Sequence, residues 1–329
     1  MNTTTFRAKL LRRIGATGTL LLGTLALQLG AQTFPNKPIT IVLPYAPGGT
    51  IDIQGRLLGN GLTQKLGQPV IVRNMPGATG AIATEFVARA PADGYTLLFA
   101  SSAQTTSVPM TEKVNYKLED LAPVSASGRG TMVLAINSQV PAKTLKEFID
   151  YAKATPGKLN YGSPGSGSVG HLVAALFVAR AGIDIVHVPY KGGGPAMADL
   201  LGGQIPMLFG NSGEVMSNAK NDRIRIIAVS TAQRMKQLPN TPTVSELLPG
   251  FEMTAWQGTL APARTPRPVI DVIANAIMAL SKEANTIERL NEIGVESTTT
   301  TPEQMSAIIR GEQGVYAEAV KAAGLMRPQ

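Results

Sequence analysis

The stretch ITIVLPYAPGGTIDIQGR, residues 39–56, constrains the fold more than any other part of the chain. Residues 39–43 are an apolar, β-branched run of strand length. Pro44, Pro47, Gly48 and Gly49 turn that run into a loop. From Thr50 or Asp52 onward, Ile53, Leu57, Leu58 and Leu62 recur at helical spacing. A strand that feeds a glycine-rich turn into a helix N-terminus gathers unpaired N–H groups and the positive end of the helix dipole, which suits an anion. The same arrangement without a ligand is a plain βα turn, common in α/β proteins. From this stretch alone the two readings stand level.

The unit occurs twice. Residues 160–162 form a short strand, SPGSGSVGH (163–171) a Gly/Ser loop, and the helix after it runs to about Arg180 with Leu172, Ala175, Leu176 and Ala179 on one face. Strands are predicted at 70–72, 95–100, 131–136, 185–188, 205–209 and 224–229, and helices at 81–90, 144–154 and 195–201. Thr144 and Glu147 have capping-box spacing. This alternation predicts mostly parallel sheets covered by helices, in two similar α/β domains. WQGTLAPARTPRP (256–268) reads as a return to turn-rich sequence. Two helices then close the chain, one from about Pro268 and one capped by Thr301, with Pro302 at its first position and Gln304 completing the box. Packed back on the first domain, they make it discontinuous: 32–131 plus 252–329, with 132–251 as the second domain.

The first 31 residues read as a cleaved signal peptide. Arg7, Lys9, Arg12 and Arg13 form a basic start without acids, 14–29 is apolar, and Ala31 is a small residue at a plausible cleavage point. Without those four cations the formal charge falls from +8 to +8 − 4 = +4, and no Lys/Arg run marks a helix. Nucleic acid is therefore not expected as a partner. The chain has no cysteine, so disulfides, thiolate zinc sites and a lipoprotein anchor are excluded. A soluble periplasmic protein is expected, and a monomer.

Enzymatic chemistry finds little support. The two histidines are His171 and His187, and no G-x-S-x-G elbow accompanies them. His171, in the first turn of a helix, reads as a ligand or loop contact. An exported hydrolase or isomerase using it as a base is the competing function. His187 sits in an apolar run and reads as a strand histidine. Gly165, Gly167 and Gly170 match G-x-G-x-x-G, but the acid expected about 20 residues on is missing, since Asp184 is too close and precedes the next strand. Neither cofactor nor metal is expected. What remains is a cleft of glycine- and hydroxyl-rich loops, SSAQTT (101–106) among them, whose neutral donors suit a carboxylate.

Across nearly the whole remainder, the chain carries PYAPGGTIDIQGR (44–56), VRNMPGATGAIA (72–83), ADGYTLLFASS (92–102), YGSPGSGSVGHL (161–172), VPYKGGGPAMADLLGGQI (188–205), TPTVSEL (241–247) and APARTPRPV (261–269). In these segments it resembles the periplasmic solute-binding proteins of tripartite tricarboxylate transporters, the Bug or TctC-like family. The resemblance implies a periplasmic binding protein type 2 (Venus-flytrap) fold, two doubly wound α/β domains around a cleft. It also implies delivery of a small mono- or dicarboxylate, an aromatic acid among the candidates, to integral membrane transporter subunits, or presentation to a sensor kinase. Carried onto this sequence, it places Tyr45, Ala46, Gly48, Gly49, Thr50 and Asp52 on one lip of the cleft. Ser166, Gly167, Ser168 and His171 fall on the other, Ser101, Ser102 and Gln104 on the floor, and Tyr190 and Lys191 at the far end. Asp52 is expected to orient its loop more than to touch ligand. Pro206 and Gly210 stand where family members often carry acids, which disfavours an amino-acid ligand.

Overall fold

The computed structural model describes residues 34–48, 50–190 and 192–327. The signal peptide read at 1–31, and the site residues Gly49 and Lys191, lie outside them. From Lys37 onward the chain forms one compact unit that contains two sheets.

The first sheet grows from the opening motif. β1 (Ile39–Leu43), α1 (Thr50–Leu66), β2 (Val70–Asn74), α2 (Ala81–Ala88) and β3 (Thr96–Ser101) alternate as predicted. β1 pairs parallel with β2 and β3, and Ile39, Ile41, Val42 and Leu43 are fully buried between covering helices. After α3 (Ser107–Thr111) the chain enters β4 (Leu121–Gly130), a ten-residue strand with no counterpart in the sequence reading.

A single residue, Thr131, separates β4 from β5 (Met132–Asn137) in the second sheet. There α4 (Leu145–Ala154), β6 (Leu159–Ser163), α5 (Val169–Ala181), β7 (Ile185–Pro189), α6 (Gly193–Gly202), β8 (Met207–Asn211), α7 (Ser212–Ser217) and β9 (Ile224–Val229) give the order β7-β6-β8-β5-β9. β6 is parallel to β7 and β8, whereas β5 is antiparallel to β8 and β9. The Thr144 box is half formed. Its hydroxyl accepts from Glu147 N at 3.2 Å, but the Glu147 carboxylate takes the N–H of Lys143, not that of Thr144.

The return to the first sheet corrects the sequence reading. The stretch read as turn-rich is β10 (Ala255–Pro262), eight buried residues inserted between β3 and β4 and antiparallel to both. Its turn residues misled because of where they fall. Pro262 ends the strand, where its missing N–H interrupts no ladder. Pro266 and Pro268 belong to the start of α8 (Arg267–Leu280). Gly258 sits in the strand, where a Cβ would come within 2.8 Å of the Ser125 carbonyl. The chain ends with α9 (Ala284–Glu292), β11 (Glu296–Ser297) and α10 (Pro302–Ala322), and the first sheet has the order β11-β4-β10-β3-β1-β2. α10 carries the full Thr301–Gln304 box, as expected.

α10 belongs to two cores. Met305 and Ile309 pack with Val42, Leu98 and Leu260 of the first sheet. Tyr316, Ala319 and Val320 join Leu172, Leu176 and Phe209 of the second. Between these two ends Glu312 accepts a 2.9 Å hydrogen bond from Trp256 Nε1. Burial, opposed by that hydrogen bond, raises its carboxyl pKa to about 7. The unfolded chain releases this proton near pH 4.5 and the folded chain near 7, so stability falls as pH rises across that window. Glu312→Gln keeps an acceptor for Trp256 and removes the ionisation. In denaturant unfolding it is expected to match the wild type near pH 4.5 and to exceed it above pH 7 by up to about 3 kcal/mol. An equal difference at both pH values would show that Glu312 does not titrate in this way.

Candidate functional site

Between the sheets lies a cavity of about 220 Å³. Tyr45, Thr50, Ile51 and Ser101 line it from the first sheet, and Pro164, Ser168, Val169, Gly170 and Asn211 from the second. Gly130, Met132, Ala255 and Gln257 come from the segments that cross between sheets, and Ile293, Gly294 and Val295 from the turn after α9. None of these residues is charged. Its polarity comes from hydroxyls, from the amides of Asn211 and Gln257, and from the first turns of α1 and α5. The leading N–H groups of both helices lack intrahelical acceptors, and both helix dipoles place their positive end here.

The α1 jaw is shaped from behind by Asp52, which is almost fully buried and does not line the cavity. Its carboxylate accepts from Gly48 N at 3.0 Å, from Asn74 Nδ2 at 2.9 Å and from Arg56 Nε at 3.1 Å, and lies 2.9 Å from Arg56 Nη2. The Arg56 hydrogen bond, with help from Gly48 and Asn74, holds its pKa down at about 2 against the cost of burial. Asn74 Nδ2 also donates to the Tyr45 carbonyl at 2.9 Å. The loop is thus pinned at both ends, and Ala46 and Gly48 stand exposed on its outer side.

On the floor, Gln104 is fully buried and organises the rest. Its Oε1 accepts from Ser101 N at 3.2 Å and Ser101 Oγ at 3.1 Å. Its Nε2 donates to the Tyr45 hydroxyl at 3.0 Å and to the Thr79 carbonyl at 3.1 Å. With the Ser101 proton directed at Gln104, Tyr45 retains its own hydroxyl proton beside the cavity, 3.5 Å from Ser101 Oγ. Ser102 points elsewhere. Its Oγ meets the Tyr316 hydroxyl of α10 at 2.8 Å.

The α5 jaw is the loop 163–168. Ser168 caps α5 by accepting from His171 N at 3.3 Å and donates to the Gly165 carbonyl at 2.7 Å. Gly170 packs so tightly that a Cβ there would fall 2.7 Å from the Phe209 carbonyl. His171 lies behind the loop, where Nδ1 accepts from Gly167 N at 3.1 Å. Ser166 is exposed. The Tyr190 hydroxyl donates to Asp199 Oδ2 at 2.7 Å, on the side of α6. Away from the two jaws, α7 meets the turn after α9 where Ser212 Oγ donates to the Gly294 carbonyl at 2.8 Å. Gly213 and Gly294 approach there without room for a Cβ on either.

Of the residues anticipated from sequence, Tyr45, Thr50, Ser101 and Ser168 line the cavity. Asp52, Gln104, Gly167 and His171 support it from behind, and Ser102 turns away to α10. Ala46, Gly48, Ser166 and Tyr190 do not line it. Sequence reading missed Gln257, which sat in the stretch mistaken for turns, and Gly294 and Val295, which no local signal marks. Asn211 was within reach, since it follows the strand predicted at 205–209 just as Thr50 and Ser168 follow theirs. Among the described residues no helix is long and apolar enough to cross a membrane, and no cluster of His, Cys, Asp or Glu is arranged to hold a metal.

Comparison with known proteins agrees with this architecture. The profile of the "Tripartite tricarboxylate transporter family receptor", TctC, matches residues 55–325. The solved structure of R. palustris Rpa4515 with adipate is 30% identical with a TM-score of 0.76, and the match covers 90% of this chain and 100% of that one. The periplasmic binding protein BugD is also 30% identical, with a TM-score of 0.73 and the same coverage. MatC (Rpa3494) from Rhodopseudomonas palustris with bound malate is 28% identical, with a TM-score of 0.72 over 87% of this chain and 100% of that one. The two sheets around a cleft are accordingly the Venus-flytrap fold of periplasmic solute-binding proteins, and the chain belongs to the TctC family of tripartite tricarboxylate transporter receptors.

Proposed function

We propose that this protein is a periplasmic receptor that captures a small carboxylate and delivers it to the membrane subunits of a tripartite tricarboxylate-type transporter. The observation that carries the reading is the convergence of two helix N-termini on one cavity lined by no charged side chain. Backbone N–H groups stabilise a carboxylate there with no cation to neutralise. The amides of Gln257 and Asn211 offer partners to a second polar group, which favours a dicarboxylate. An α-amino acid finds no carboxylate for its ammonium. The adipate and malate carried by structural neighbours support the same class.

Capture works by closure in this reading. Residues 32–131 with 252–329, and residues 132–251, act as two lobes that swing about the strand crossings at Thr131 and 252–254 and about α10, whose last turns stay packed in the second core, and the Ser212–Gly294 contact marks the closed edge. Turnover is not part of the function. His171 gives its Nδ1 to the Gly167 N–H and does not line the cavity, so no base faces a bound ligand from that position.

A thermal-shift and calorimetric screen tests the ligand class. A matching dicarboxylate at a hundredfold excess over its Kd should stabilise the protein by about 2.7 kcal/mol, a rise of several degrees in Tm. It should bind one to one without being consumed. Tight aspartate or glutamate binding with no response to dicarboxylates would overturn the assignment. Gln257→Leu should weaken a dicarboxylate about tenfold, the value of one hydrogen bond, and leave the matching monocarboxylate within about twofold. Equal losses for both would remove Gln257 from recognition of the second group. Gly294→Ala should hold the lobes apart, read as a larger radius of gyration with ligand present and a raised Kd. Unchanged compaction would show that the Gly213–Gly294 approach is not needed for closure.

A further inference from the structure

The chain's two histidines, 16 residues apart in sequence, lie face to face, with ring centroids 3.6 Å apart and planes 8° from parallel. One is on α5 and the other on β7, the edge strand of the second sheet. Tyr161 of β6 lies beside both, its ring centroid 5.0 Å from that of His187 and 6.2 Å from that of His171. His187 Nε2 is 2.7 Å from Ser163 Oγ. Ser163 Oγ in turn accepts from Gly165 N at 3.2 Å and donates to the Gly165 carbonyl at 3.1 Å. With the Ser163 proton directed at that carbonyl, Ser163 accepts from the Nε2–H tautomer of His187; with the other tautomer the same 2.7 Å contact runs from Ser163 to His187, and either way the ring holds the hydroxyl. On His171, Nδ1 must keep its lone pair for the Gly167 N–H. Each imidazole therefore holds one end of the turn 165–167, in which Gly165 and Gly167 both have positive φ.

We infer that His187, acting through Ser163 and through its face on His171, is a positioning residue that sets the loop 163–168 and so the α5 N-terminus for ligand, and that it does so while the imidazole pair is uncharged. Protonating His171 at Nδ1 turns its acceptor into a donor aimed at a second donor. A proton on each ring would place two cations in stacking contact. Burial keeps both rings below the ordinary histidine range, and for His171, brought down to about 4, the neighbouring imidazole adds to the effect. Apart from that imidazole, no charged side chain contributes to either shift, and the third titratable group in the stack, Tyr161, has its phenol pushed up to about 12 by burial. A histidine with a lowered folded pKa supports the structure above its ordinary range and loses that support as pH falls toward the folded value. The loop should therefore loosen between about pH 6.5 and 4.

The inference rests on the carboxylate-receptor reading for its role in binding, so the test uses one measurement with ligand and one without. Backbone hydrogen exchange of the ligand-free protein, corrected for intrinsic rates, reports the loop directly. His187→Phe, which keeps a flat ring but no donor, and Ser163→Ala should each speed exchange at 165–170 about tenfold, with the later turns of α5 unchanged. His187→Gln, which restores a donor, should recover much of the protection. In the wild type, protection of the same amides should fall with acid. The midpoint should move up in His187→Phe, because the neighbour that opposes protonation of His171 is gone. Titration with adipate as the probe should show a Kd raised about tenfold in His187→Phe and Ser163→Ala. Unchanged loop protection in both variants, or a wild-type profile flat from pH 7 to 4, would overturn the inference. Flat titrations of the wild type with adipate and with every other carboxylate of the screen, with the exchange pattern intact, would instead overturn the ligand assignment.

Discussion

The cleft depends on backbone donors staying available, and that requires the groups which shape the loops to stand behind them. A helix N-terminus gives a ligand only the N–H groups that its cap leaves open, and on α5 Ser168 already takes that of His171. On the α1 side the shaping falls to Asp52, which binds Gly48, Asn74 and Arg56 and keeps its charge away from the cavity. On the α5 side it falls to Ser163, His171 and His187, all neutral. The two jaws solve the same problem with opposite chemistry. One uses a charged carboxylate held ionised by an arginine, the other an uncharged imidazole pair held neutral by burial.

A cavity without charged side chains is suited to a receptor that must release what it binds. An arginine fork would hold a carboxylate by charge-assisted hydrogen bonds roughly twice as strong as neutral ones. Helix ends and amides provide weaker, more numerous contacts that depend on both jaws being present. In the proposed receptor, affinity is then shared between the two lobes, and separating them removes several contacts together.

Much of the fold was legible because its signals were local. The Ile39–Leu43 run, the glycine loops at 44–49 and 163–168 and the Thr301 cap each specify an element within a few residues. β4 and β10 were not legible, because their identity comes from pairing with strands far away in sequence. Gly258 and Pro262 read as turn residues until the partner strand supplies the reason for them. The site divided the same way. Tyr45, Thr50, Ser101 and Ser168 follow strands and could be placed in the cleft, whereas Gln257 and Gly294 arrive through tertiary packing. His187 reads as a strand histidine, and β7 and its Ser163 partner agree; its face-to-face contact with His171 is what no alternation with apolar neighbours could signal.

The helix α10 has a kinetic consequence. Its Met305 and Ile309 complete one core, and its Tyr316, Ala319 and Val320 complete the other. Synthesised from the N-terminus, the chain can pair all the strands of the second sheet long before those three residues exist. Until they do, that sheet has an open apolar face, and Tyr316 cannot join Ser102 to the Thr254 carbonyl. Full stability therefore arrives late and for both halves at once. A chain built in this way cannot close either core completely until its last helix has been made.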